Sequence, residues 1–178
     1  MGVCARGFSV IVRNKTLEER FPGGLAAFQR LCPNQTFCTD QQISRIGFMH
    51  PDDANAFIAK FAAAGLEPFR RNVSVDVALS HESDGFIHAC DWLELGMIQG
   101  HWAARLLGAE PVNFFLPEHE LKAKPFQSYS MRELRESFDL VEVRNSVECY
   151  RNKASGELIY IGRTGIQKPR KWWQFWKK

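Results

Sequence analysis

Along residues 8–12 the apolar positions Phe8, Val10 and Val12 recur every second residue. The segment is rich in β-branched and aromatic types, which predicts a strand with those three side chains on one face. The period then changes. Thr16-Leu17-Glu18-Glu19 has the form of a capping box, in which the Thr16 hydroxyl accepts from the backbone N–H of Glu19 and the Glu19 carboxylate reaches back, so a helix is predicted to start there. Pro22-Gly23-Gly24 interrupts it, and a second helical segment follows in which Leu25, Phe28 and Leu31 share a face, ending before Pro33. Residues 36–39 and 43–49 flank Asp40-Gln41-Gln42 and predict a hairpin with a polar turn.

The next helix is the best marked. Pro51 suits its first turn, Asp52 and Asp53 favour the positive end of its dipole, and Ala54, Phe57, Ile58, Phe61 and Ala62 form one apolar stripe before Gly65 supplies a stop. Residues 73–79 then alternate, with Val73, Val75 and Val77 on one face of a strand and Ser74, Asp76 and Ala78 on the other. In order, residues 1–80 read βαββαβ, the arrangement of a ferredoxin-like fold whose two helices cover one side of an antiparallel sheet. The expected class is α+β, with helices on the side of Val75 and Val77. The side of Ser74 and Asp76 is expected to face water, a partner or the rest of the chain, which makes these two candidate binding residues.

The pattern is weaker from residue 81 onward. Residues 86–92 predict a strand that would align His88, Cys90 and Trp92, residues 102–107 a short helix, and Pro111, Pro117 and Pro125 punctuate a surface stretch. Ser130-Met131-Arg132-Glu133 is a second capping box, and Met131, Leu134 and Phe138 suit one helix face. Strands are predicted at 147–150 and 158–161, joined by a turn through residues 152–156. Residues 81–166 are therefore expected to be a mixed portion packed on 1–80 as one unit, followed by a basic aromatic tail at 167–178.

Composition narrows the class. At 178 residues, 45% hydrophobic and 24% charged, the chain has ordinary globular usage. It has no apolar run long enough to span a bilayer, and no expected signal peptide or myristoylation site. Five scattered cysteines, Cys4, Cys32, Cys38, Cys90 and Cys149, are an odd number and point to reduced thiols and a cytoplasmic setting, without a Cys32–Cys38 disulfide. The five cations Lys168, Arg170, Lys171, Lys177 and Lys178 exceed the net charge of +3 by two. The remainder is thus slightly acidic, and its body is not expected to bind nucleic acid.

Candidate chemistry is sparse. Residues 81–91 gather His81, Glu82, Asp84, His88, Cys90 and Asp91, but lack a Cys-x-x-Cys pair or a His-Glu-x-x-His helix, so no metal is expected. A thiolate at Cys90 would need a base or positive charge beside it, with His88, His81 or His101 as candidates. No dinucleotide fingerprint, phosphate loop, nucleophile elbow or EF-hand pattern is present, and no cofactor or catalytic residue is expected. Residues 156–164, which contain Tyr160-Ile161-Gly162, resemble the second half of the motif that names the GIY-YIG nucleases, with Tyr150 where the first tyrosine would fall. The resemblance covers one hairpin: Glu148-Cys149-Tyr150 replaces Gly-Ile-Tyr, and only fourteen residues follow Thr164, too few for that family's arginine and metal-binding glutamate. A generic hairpin is expected.

The tail, with Trp172, Trp173, Phe175 and Trp176 among five cations, has the chemistry to meet an anionic membrane surface or stack on bases. Its rings also have enough apolar area to fold back on the body, and such docking or plain disorder is the preferred expectation. The expected function is a non-catalytic protein-binding module of the cytoplasmic inhibitor or toxin-immunity type. A small-molecule-binding regulatory domain is the alternative, and a thiol- or metal-dependent enzyme centred on His88 and Cys90 the second.

Overall fold

Strand-forming runs and one amphipathic helix organise the chain around a central sheet. The structure is a computed structural model and describes residues 2–98, 101–109, 129, 131–144 and 146–164. Its elements begin with β1 (Val3–Cys4), β2 (Phe8–Arg13), α1 (Asn14–Arg20), α2 (Gly24–Leu31), β3 (Cys38–Thr39), β4 (Ile43–Phe48), α3 (Pro51–Ala63) and β5 (Phe69–Arg70). Then come β6 (Val73–Ser74), β7 (Val77–His81), β8 (Gly85–Phe86), β9 (Leu93–Ile98) and β10 (His101–Leu106). The last described are a helix, here α4 (Met131–Ser137), and β11 (Phe138–Arg144), β12 (Val147–Asn152) and β13 (Leu158–Gly162). The molecule is mixed α and β, and its named strands all pair antiparallel.

The central sheet runs in the order β3-β4-β2-β7-β8. On one face Phe8, Val10, Val12, Ile46, Phe48, Val77 and Leu79 meet Leu17, Phe28, Ala54, Phe57, Ile58 and Phe61 from the helices, all in one buried cluster. Alternation along β2 dictates this, because every second residue faces the helices. The intervening Ile11, with Ile43 and Ala78, faces the other way. There Val3, Leu93 and Ala104 of a second sheet, ordered β1-β10-β9, close over them together with Trp92. Of the three expected occupants of that face, water, a partner or the rest of the chain, it is the rest of the chain that covers it, through β1 near the start and β9 and β10 further along. Arg45 lies on this buried face, 6% exposed, donating to the Ser9 hydroxyl at 3.0 Å and the Arg6 carbonyl at 2.6 Å. Gly47 leaves room for that guanidinium: a Cβ there would stand 2.5 Å from it.

Several expectations need correction. Helix α1 starts two residues before Thr16, with Arg13 at its N-cap and no side-chain cap bond. Thr16 is inside the helix and buried, so it does not act as the predicted cap. Residues 73–79 are not one strand. Val75 and Asp76 donate their N–H groups to the carbonyls of Pro68 and Glu67, both at 3.0 Å, which bends the chain between β6 and β7. Only Gly85–Phe86 of the 86–92 segment is strand, and the 102–107 helix is instead β10. Ala103 and Ala104 favour helix in isolation, but in β10 they pair with Gly96 and Leu95 on one side and with Cys4 and Val3 on the other. Both alanines are 0% exposed, so tertiary burial overrides their propensity.

The polar turn at 40–42 forms as predicted, the Asp40 carboxylate accepting from the N–H groups of Gln42 and Ile43, each at 2.7 Å. So does the hairpin of β12 and β13, where the Asn152 side chain accepts from Ala154 and Ser155 at 2.8 and 3.0 Å. The second capping box includes Ser130, outside the described residues. Leu134 is buried as its predicted face requires, and Phe138 is buried too, although it already belongs to β11.

Helix α3 is capped by His50, whose Nδ1 accepts from the Asp52 N–H at 3.2 Å, with Pro51 opening the first turn. The ring is 1% exposed. Burial, and then the nearby Arg163 guanidinium, hold its pKa below the ordinary 6.5, against a weaker pull from Asp52. Below pH 6.5 the unfolded chain therefore takes up a proton that the folded chain refuses, and stability falls with pH until the folded pKa is passed. The expected result is a urea midpoint that drops, as the pH falls below about 6.5, more steeply in the unaltered protein than in His50→Asn, whose amide oxygen supplies the same cap. Equal slopes would contradict this role.

Candidate binding cleft

The short hairpin of β5 and β6 has a register of Phe69 with Ser74 and Arg70 with Val73, which leaves only Arg71 and Asn72 to turn the chain. Both have positive φ, 50° and 64°. Such a two-residue turn matches the twist of its strands, and asparagine suits it, but arginine at the first position is strained by its Cβ, at about 1–2 kcal/mol. The turn projects over a cleft of about 540 Å³ lined by Arg13, Arg70, Arg71, Val73, Ser74, Val75, Asp91 and Trp92.

Trp92 forms the apolar wall. Its indole N–H donates to the Ser74 carbonyl at 3.3 Å, and the Arg13 guanidinium carbon lies 4.8 Å from the ring centroid. Arg13 also donates to the Val75 carbonyl at 3.0 Å, while its buried Nε has no hydrogen-bond partner among the described residues. Arg70 is paired with Glu67 through two short contacts, one of them 2.6 Å. Arg71 is exposed and has no ion-pair partner among the described residues. The arrangement presents positive charge beside a flat aromatic surface, which suits a carboxylate or phosphate carried on an apolar body.

The residues singled out from sequence are placed differently from one another. Ser74 is 2% exposed and forms part of the cleft wall. Asp76, also 2% exposed, accepts from Arg20 and from the Glu67 N–H, each at 2.7 Å, so its carboxylate is held inside the chain. The His88 ring lies against Phe69, with centroids 4.2 Å apart. Burial pushes the Cys90 thiol above its ordinary 9.0, against weaker pulls from the Trp92 and Leu93 backbone and the Ser74 hydroxyl. That is the reverse of an activated thiolate. None of the five cysteines is in a disulfide, and burial raises Cys32 to about 12. Among the described residues no three His, Cys, Asp or Glu side chains converge on a metal position. Trp172, Trp173, Phe175 and Trp176 lie outside the described residues.

Tyr150 pairs with Ile159, and Tyr160 with Cys149, so alternation sends the two tyrosines of the hairpin to opposite faces. Tyr150 donates to Glu148 at 2.9 Å, while Tyr160 is 63% exposed. They do not build one site. A second charged cluster joins this hairpin to α3: Arg163 donates to Asp53 at 3.1 Å and to Glu148 at 2.6 Å, and the Thr164 N–H adds a bond to Asp53 at 3.1 Å. With both carboxylates bonded to Arg163, the cluster ties α3 to the hairpin.

The cleft was missed from sequence because its parts are distant: Arg13 ends β2, Arg70 and Arg71 belong to a hairpin, and Trp92 follows β8. The one local signal was Arg-Arg-Asn between Pro68 and Val73. No family model, curated protein or solved structure matches this chain. Among the described residues no helix is long and apolar enough to cross a membrane. Fold and site together define a mixed α and β protein with a cationic, aromatic-walled cleft.

Proposed function

We propose that the chain is a non-catalytic binding module that holds a protein partner through the cleft between Arg13, Arg71 and Trp92. The carrying observation is the Arg13 guanidinium stacked on Trp92 beneath an exposed, strained Arg71. Arginine and tryptophan are the residue types on which binding energy concentrates, and stacking holds the guanidinium in place before a partner arrives. Backbone strain at Arg71 is an outlier of the kind that accompanies a binding role. A partner presenting an acidic group suits these charges. Five cysteines outside any disulfide favour a reducing compartment, so the setting we infer is cytoplasmic, and an inhibitor or immunity-type protein is the class that fits.

We also read residues 1–80 as a ferredoxin-like unit. The order β3-β4-β2-β7, with helices following β2 and β4, supports this, and β8 would be an added edge strand. Fold analogy carries no function by itself, so the functional reading rests on the cleft.

The test is affinity purification of the full chain from its native cells beside Arg71→Glu. The unaltered chain is expected to recover a stoichiometric protein, and the charge reversal to lower that recovery by at least about tenfold, as for a residue worth more than about 1.4 kcal/mol. Failure of the unaltered chain to retain any stoichiometric protein would sink the reading. A cleft of about 540 Å³ is also of small-ligand size, which favours the regulatory-domain reading second. In that case a small carboxylate or phosphate compound raises the thermal midpoint, and Arg71→Glu abolishes the rise.

A further inference from the structure

We propose that β11 is a self-pairing edge, through which two copies of this chain join their β11-β12-β13 sheets into one. Among the described residues β11 is terminal in the sheet order β11-β12-β13, and six of its seven residues are exposed. Leu140, Val141 and Val143 are 54%, 47% and 55% exposed. No proline, lysine or glycine interrupts the strand, and its exposed apolar residues leave the edge open to pairing, while its bulge and its charges, which ordinarily guard an edge, select the partner.

The bulge decides which partner fits. Leu140 pairs with Tyr150 and Val143 with Glu148, whereas Asp139, Glu142 and Arg144 pair with Arg151, Cys149 and Val147, the register shifting between Leu140 and Glu142. Tyr150 and Glu148 share one face of β12, and the other three its opposite face. Leu140 and Val143 are therefore on one face of β11, and Asp139 and Arg144 on the other. Without the bulge, residues three or five apart would fall on opposite faces. An antiparallel pair of identical strands centred between Val141 and Glu142 sets Asp139 opposite the second copy's Arg144 and Leu140 opposite its Val143. In each pair the two side chains lie on the same face, as cross-strand neighbours must. By symmetry each pair occurs twice, so opposite charges flank apolar pairs. Shifting the register by one residue places Asp139 opposite Val143 and Leu140 opposite Glu142, on mismatched faces. The strand is thus complementary to itself in charge and in face at one register. Asp139 also has Lys153 at 3.8 Å, but that pair is exposed, at 71% and 42%, and screened.

Sedimentation equilibrium of the full chain over about 1–100 μM tests this, a range that covers micromolar self-association. The unaltered protein is expected to form a dimer. Asp139→Arg and Arg144→Asp each create two like-charged pairs and are expected to weaken it by about tenfold or more, and the double exchange to restore it. Amide exchange along residues 138–144, slower at high than at low chain concentration, reads the same contact without substitution. A chain that stays monomeric across the range, single exchanges without effect, or a double exchange as weak as the singles would each overturn the proposal.

Discussion

Replacing Phe28 by alanine is expected to lower the free energy of unfolding by about 3–5 kcal/mol, the range for truncating a fully buried aromatic ring. Phe28 is 0% exposed and its ring lies 5.5–6.3 Å from those of Phe21, Phe37, Phe57 and Phe61. These come from the loops on both sides of α2 and from α3. Truncation therefore removes edge and tilted ring contacts as well as apolar area, and leaves a hole at the centre of the helix-side core. Since a domain of this kind holds about 5–15 kcal/mol in total, the urea midpoint should fall by a large fraction. Phe28→Leu should lose much less, because most of the volume remains. A midpoint for Phe28→Ala within experimental error of the unaltered protein would mean that the helices do not pack on the sheet as described.

Arg163→Met is the second. The arginine links Asp53, with a side chain 5% exposed, to Glu148, 13% exposed, and is itself 18% exposed. Removing it strands two carboxylates in a place where water reaches them poorly, a loss of about 3–5 kcal/mol when full burial applies. Here partial access of water, and the position of Asp53 at the positive end of α3, reduce the expected loss to about 2–3 kcal/mol. Adding Asp53→Asn to Arg163→Met should recover part of it, since one stranded charge is then gone. The pair of β12 and β13 should open more readily from α3, visible as faster amide exchange there than in the central sheet. His50 supplies an independent readout. The Arg163 charge helps to depress its pKa, so the pKa followed by NMR should rise in Arg163→Met. An unchanged His50 titration together with unchanged stability would show that this junction does not form.

What could be read from the chain follows from where each signal resides. The α3 stripe is complete within three turns, and Ala54, Phe57, Ile58 and Phe61 are buried as the spacing predicts, whereas Ala62, also assigned to it, is exposed. The turns at Asp40 and Asn152 are legible for the same reason, because each side chain bonds to backbone groups two or three residues away. Thr16 shows the limit of a local motif. Its box is sound in isolation, but the end of β2 leads directly into α1 and takes the cap position three residues earlier, at Arg13. The Asn14 amide meanwhile donates to the Asp40 carbonyl at 2.9 Å and accepts from the Ser44 hydroxyl at 2.7 Å, which fixes that entry through the neighbouring hairpin.

By itself the sequence determined the alternation of β2, which faces of β2 and α3 meet in the helix-side core, and the two hairpins with side-chain-bonded turns. Period and turn chemistry are properties of short segments. Only the tertiary structure decided that Ala103 and Ala104 lie in a strand, that residues 73–79 bend at Asp76, and that β1, β9 and β10 cover the second face of the sheet. It alone brought Arg13, Arg71 and Trp92 around one cleft. Each of these depends on partners tens of residues away, for which a single chain carries no periodic signal, and burial against those partners outweighs the local preference of the residues involved.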